Sequence, residues 1–138
     1  MVIDRTLYER MVRQLVDAFP DEGCGLISVK DGIATDVFPI ANVSQSPVVF
    51  KMDPQQQLDA LERIDEEGWE LGAIYHSHPR TRAYPSRTDV ELAFYPDALQ
   101  IIVSLAAYPR PDVHAFRIVA GEVSEEPLEI IPAAPAGE

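Results

Sequence analysis

Residues 69–78 read WELGAIYHSH, and no other stretch narrows the choice of fold as much. Its apolar centre does not alternate with polar residues, which predicts a strand covered on both faces in the middle of a layered sheet. The strand ends on two histidines, and a loop carrying Pro79 and Pro85 follows. Residues i and i+2 of a strand project to the same side, so His76 and His78 can share one ion at a strand end. Loops at strand ends are also where functional groups tend to gather.

The rest of the chain supplies the layers. Leu7, Met11, Val12, Leu15, Val16 and Phe19 recur at helical spacing behind Asp4 as cap, predicting a helix over 4–18. CGLISV then reads as a buried strand, with Lys30, Asp31 and Gly32 turning into a second, IATDVFPI. Residues 41–53 look irregular, with a short strand expected near 48–50. Pro54 suits the first position of a helix running to about residue 67, where Gly68 stops it. A third helix is expected over 86–95, ended by Pro96. The runs ALQIIVSLA and DVHAFRIV read as core strands, and VSEEPLEII as a last edge strand. The expected fold class is α/β (α+β): one domain over 1–131, a mixed sheet and about three helices. A disordered tail is expected over 132–138.

Charge and cysteine content exclude several functions. Eleven basic against 23 acidic residues give a net charge of −12, which opposes sequence-independent binding to nucleic acid. No apolar run reaches the roughly 18 residues of a membrane span, and the charged, amphipathic start does not resemble a signal peptide. The expected location is cytoplasmic. The single cysteine, Cys24, excludes an internal disulfide and any multi-cysteine metal knuckle. Placed inside a buried strand, it reads as a small hydrophobe rather than a nucleophile. Any bound metal must therefore use His, Asp or Glu.

Asp89 is the natural third ligand. Ser86-Arg87-Thr88-Asp89 also has the pattern of a capping box at the start of the third helix, so Asp89 has a structural role available as well. Two imidazoles, one carboxylate and a water form a four-coordinate zinc site with one exchangeable position, the catalytic type. Such a centre needs a proton carrier, and Glu22, entering the strand CGLISV, is a candidate. His114 lies on a different strand and reads as structural. Arg80, Arg82 and Arg87 form a basic rim around the histidine segment on an otherwise acidic chain, which points to an anionic group arriving there. Tyr84, on the same loop, can line a peptide channel.

Together these residues resemble the JAMM (MPN+, JAB1/MPN/Mov34) metallopeptidase family. Its motif is an upstream glutamate, then His-Ser/Thr-His-Pro, then Ser-x-x-Asp seven residues on from the proline. Here these are Glu22, His76-Ser77-His78-Pro79 and Ser86 to Asp89, and EGCGL matches the family's Glu-x-Cys-Gly strand. The resemblance covers roughly residues 1–130. It implies a cytidine-deaminase-like mixed sheet and one Zn2+ per chain held by His76, His78 and Asp89. It also implies Glu22 as general base and acid, and Ser86 as stabiliser of the oxyanion.

AYPSRTDVELA and RIVAGEVSEEPLEI carry a closer likeness to short bacterial members that release cysteine from a ubiquitin-like sulfur-carrier protein. That likeness implies hydrolysis of the amide after a C-terminal Gly-Gly, within cysteine biosynthesis. On that reading the released cysteine carries a free α-carboxylate, which a guanidinium can bind bidentately, and Arg82 or Arg87 is expected to read it. Trimming of a carrier precursor or a ubiquitin-like conjugate is the alternative enzyme, and a non-catalytic MPN scaffold the alternative binding module. The oligomeric state is left open.

Overall fold

The computed structural model describes residues 1–133, which form one eight-stranded sheet and three helices. The elements are β1 (Val2–Asp4), α1 (Arg5–Ala18), β2 (Cys24–Lys30), β3 (Ile33–Ile40), α2 (Pro54–Glu66), β4 (Glu70–His78), α3 (Arg87–Glu91), β5 (Leu99–Ser104), β6 (Asp112–Val119), β7 (Glu122–Glu126) and β8 (Glu129–Ile131). The expected mixed sheet with three helices is the observed one. The tail expected over 132–138 falls, from residue 134 on, outside the described residues. Among the described residues no helix is long and apolar enough to cross a membrane.

Capping explains where the helices start. The Asp4 carboxylate accepts the Leu7 N–H at 2.8 Å, and Asp53 accepts from Gln55 and Gln56 at 3.0 Å each. Leu7, Met11 and Leu15 form the buried stripe of α1. Asp31 and Gly32 take φ of 53° and 79°, the left-handed pair that a tight β2–β3 hairpin requires.

The strand order is β7-β6-β5-β4-β2-β3-β1-β8. The β4–β5, β1–β3 and β1–β8 pairs are parallel and the others antiparallel. β7 and β8 stand at opposite ends of this order, yet only Pro127 and Leu128 separate them. Three residue steps span at most about 11 Å, so the sheet curls until its two ends nearly meet. α1 fills the concave side, where its stripe packs with Ile27, Tyr75, Ile101 and Val103. On the other face, Ala60 of α2 packs with Leu26, Ile40 and Ile74. β4 is thus covered on both sides, as its unbroken apolar centre predicts, and it carries the two histidines to the sheet's end.

Three expectations differ from the structure. No strand forms over 48–50: Val48 is 74% exposed, and this loop joins the sheet pattern only through an isolated bridge from Asn42 to Met52. The last strand splits at Pro127, which lacks an N–H, so β7 pairs with β6 while β8 crosses to lie beside β1. α3 covers five residues only, and Leu92 and Phe94 beyond it are exposed.

Packing against β4 is close enough to give a sharp expectation. A Cβ on Gly25 would stand 2.2 Å from the Tyr75 hydroxyl oxygen and 2.5 Å from the Phe38 carbonyl oxygen. The Tyr75 hydroxyl donates to Gln14 Oε1 and is fully buried, so it has no free space to retreat into. Gly25→Ala is expected to cost about 3 kcal/mol in urea unfolding. An unchanged midpoint would mean that Tyr75 moves freely.

Candidate metal centre

β2 and β4 pair with Cys24 opposite His76 and Gly25 opposite Tyr75. One step further, the Ser77 N–H donates to the Gly23 carbonyl at 3.1 Å, and the Gly23 N–H donates to the Ser77 hydroxyl at 2.9 Å. Continuing that register sets Glu22 abreast of His78, on the face that carries Cys24 and His76. The sheet thereby brings an upstream carboxyl to the histidine pair.

His76 Nε2, His78 Nε2 and Asp89 Oδ2 form a compact triangle. The two nitrogens are 3.2 Å apart, and the oxygen lies 3.2 Å from His76 and 3.0 Å from His78. Zinc bonds of about 2.0–2.1 Å in a tetrahedron separate neighbouring ligand atoms by roughly 3.3 Å. The donor set and its spacing therefore fit zinc. His78 Nδ1 donates to the Arg82 carbonyl at 2.9 Å, which leaves the Nε2 lone pair for the triangle in the neutral ring. His76 has no such bond at its buried Nδ1, and its ring instead stacks on Phe50 with centroids 4.6 Å apart.

Asp89 fills two roles with one oxygen. Its Oδ2 accepts the Ser86 N–H at 2.9 Å while its own N–H donates to Ser86 Oγ at 3.0 Å. The capping box is what aims the carboxylate at the imidazoles. Because Ser86 Oγ is the acceptor in this pair, its hydroxyl proton remains free to be donated. Burial by itself raises the Asp89 pKa, but the adjoining His76 and His78 imidazoles, with the Ser86 N–H, overcome it and hold the carboxyl well below its usual range.

Glu22 is 3% exposed, and its Oε1 has no hydrogen-bond partner. Burial first, then the charge of Asp89, push its carboxyl up to about 8. A carboxyl with that much proton affinity beside a ligand cluster is suited to carry a proton. The Cys24 thiol is pushed up to about 12, by burial and then by Glu22, and lies 3.4 Å from the Ile40 carbonyl. It is a poor nucleophile there.

A groove of about 440 Å³ opens beside Asp89 and Thr88. Val49, Phe50 and Met52 line it from one loop, Leu92, Phe94 and Tyr95 from another, with Ile74 and Gln100 of the sheet between. The lining of this groove was not legible in the sequence: residues 41–53 show no period, and an aromatic residue in an irregular segment gives no signal.

The loop over 79–85 is pinned rather than free. His78 holds the Arg82 carbonyl, the Ser104 hydroxyl donates to the Thr81 carbonyl, and Ala83 is buried with Ile102 and Phe116. Tyr84 packs edge-on against Phe116 at 5.4 Å instead of lining the groove. Arg82 lies over the Tyr84 ring at 4.9 Å, Arg80 over Phe19 at 5.6 Å, and Arg87 pairs with Glu91 at 3.0 Å. His114 sits between Asp112 and Glu125 at 2.9 and 2.7 Å, outside the triangle.

Residues 4–119 match the family model described as prokaryotic homologs of the JAB domain. The chain is 36% identical over 133 residues to the CysO-cysteine peptidase of Mycobacterium tuberculosis strain H37Rv, covering 95% of this chain and 91% of that protein. It is 37% identical over 94 residues to a probable TtuB-protein conjugate cleaving protease of Thermus thermophilus, covering 67% of this chain and 63% of that one. The solution structure of DSY2949 from Desulfitobacterium hafniense superposes with a TM-score of 0.87 at 36% identity, over 96% of this chain and 94% of its own.

Proposed function

The chain belongs to the family of prokaryotic JAB-domain homologs, and from that premise we propose that it is a zinc-dependent peptidase. Its proposed substrate is a ubiquitin-like sulfur-carrier protein, cleaved at the amide after the C-terminal Gly-Gly to release cysteine. The observation that carries this reading is the His76–His78–Asp89 triangle with the buried Glu22 carboxyl alongside. The mycobacterial relative, similar over nearly its whole length, supports the choice of substrate.

His76, His78 and Asp89 would hold the ion. Zinc held there would supply the Lewis-acid chemistry that makes hydroxide available near neutral pH. Glu22 takes the proton from the attacking water and returns it to the leaving amine. Ser86 has a hydroxyl proton to offer the carbonyl oxygen as charge develops on it. The groove beside Asp89 suits an extended, partly apolar carrier tail. Residues 1–131 are the domain assigned to this activity, in the cytoplasm.

A released cysteine carries a free α-carboxylate. Arg87 is already engaged by Glu91, whereas Arg82 rests only on an aromatic ring, so Arg82 is the residue we assign to that carboxylate. Arg82→Gln is expected to raise KM for a carrier–cysteine adduct by roughly tenfold or more. The same change should leave an adduct with an amidated cysteine unaffected. Equal kinetics on both adducts would remove the assignment.

The Thermus relative supports a second reading, removal of a carrier from a protein conjugate. Incubating the zinc-loaded protein with each substrate and weighing the intact products separates the two. Loss of one cysteine mass from the adduct supports the first reading. Cleavage of the conjugate alone supports the second. Protein purified without stoichiometric metal and inert towards both would be a scaffold.

A further inference from the structure

Glu22 precedes β2 by one residue, Gly23, so the regular ladder does not hold it. Its N–H donates to the Ser46 carbonyl at 2.8 Å, and its carbonyl accepts from Asn42 Nδ2 at 2.9 Å. Both partners belong to the loop between β3 and α2. The second Asn42 N–H goes to the Val49 carbonyl at 3.1 Å. Its Oδ1 accepts the Ser44 N–H at 3.0 Å and the Lys51 N–H at 2.9 Å. Two donors and two lone pairs are all that an asparagine amide has, and each is used.

Nothing comparable restrains the other end of Glu22, whose Oε1 has no partner. The carboxyl therefore inherits its position from the backbone, and the backbone inherits its position from this loop. We propose that Asn42 is the positioning residue for Glu22, anchoring its carbonyl so that the carboxyl stands beside His78 and Asp89. The inference rests on the peptidase reading, in which Glu22 moves the proton. Asn42 bonds to none of the three ligand atoms, so its contribution belongs to turnover and not to metal affinity.

Two variants separate its bonds. Asn42→Asp keeps the two accepting bonds and deletes both donors at nearly constant shape, while Asn42→Ala removes all four. Each is measured with a carrier–cysteine adduct, in the native and in the Glu22→Gln background, with zinc affinity read by chelator competition. The expected result is a kcat lowered roughly tenfold to a hundredfold in the native background. KM and zinc affinity should stay within about threefold, and the residual Glu22→Gln rate should change by less than about twofold, because the positioned group is then already disabled.

Equal losses in the two backgrounds, an unchanged kcat, or a loss confined to KM or metal affinity would overturn the inference. Should Asn42→Ala lose cooperative unfolding, Asn42→Asp alone decides by the same criteria. A wild type that cleaves the adduct alongside indifferent variants defeats the inference only. A zinc-loaded wild type inert towards both the adduct and the protein conjugate defeats the peptidase reading and takes the inference with it; one that cleaves the conjugate alone is measured on that substrate by the same criteria.

Discussion

Glu22→Gln is expected to retain zinc and to lose turnover by roughly 10²–10⁴-fold. The amide matches the carboxyl in shape, so neither the packing around it nor the ligand triangle should change. What disappears is the capacity to take and return a proton. Metal content per chain and kcat on a carrier–cysteine adduct, measured on one preparation, test this. Retention of more than a tenth of the wild-type rate would place proton transfer elsewhere.

The same variant has a stability signature in the metal-free protein. The folded-state pKa of Glu22 is raised above its unfolded value, from 4.5 to about 8. For an acid shifted upward, the folded form holds its proton longer than the unfolded chain does. Its contribution is full at low pH and is lost as pH rises from about 4.5 through about 8. Wild type should therefore lose stability relative to Glu22→Gln across that window, and parallel pH profiles in urea titrations would contradict it.

Asp89→Ala should be the most damaging ligand substitution, because two structures share the deleted oxygen. The triangle loses its only anionic corner, and the Ser86 N–H loses its acceptor at the start of α3. Zinc affinity is expected to fall by a hundredfold or more, since even groups that merely orient ligands change it by about 10–100-fold. The Ser86 Oγ cap survives, because the backbone N–H of residue 89 remains, and loss of the reciprocal bond to the Ser86 N–H contributes a further destabilisation of about 0.5–1 kcal/mol. Hydrolysis should drop below detection at ordinary zinc concentrations. Chelation of wild type should reproduce that loss reversibly, with zinc restoring activity to wild type and not to the variant. Near-native affinity in Asp89→Ala would remove Asp89 from the ligand set.

The sequence made the histidine pair legible because strand parity is a local rule: two residues apart on a strand means one side. Asp89 was harder, since Ser-x-x-Asp describes a helix cap equally well, and the structure shows that the cap itself aims the carboxylate. Glu22 was legible as a candidate from its place at the entry to the strand CGLISV, and family resemblance singled it out. Its neighbourhood with His78 depends on the β2–β4 register, which no local pattern encodes. Asn42 and Phe50 stayed hidden because their roles come from hydrogen bonds and stacking within an aperiodic loop. The crossing of β8 to the far end of the sheet was equally invisible: Pro127 marks the break but does not say where the next residues go.

That crossing also sets an order of events during synthesis. β1 meets β3 at one residue pair, Val2 with Ile33, but meets β8 at three. Most of its partners thus emerge from the ribosome some 125 residues after it does, a delay on the order of ten seconds at ordinary translation speed. Through that interval the greasy stripe of the first helix has no finished cradle to enter. The first helix therefore completes its packing, and the sheet its closure, only when the last of these strands is in place.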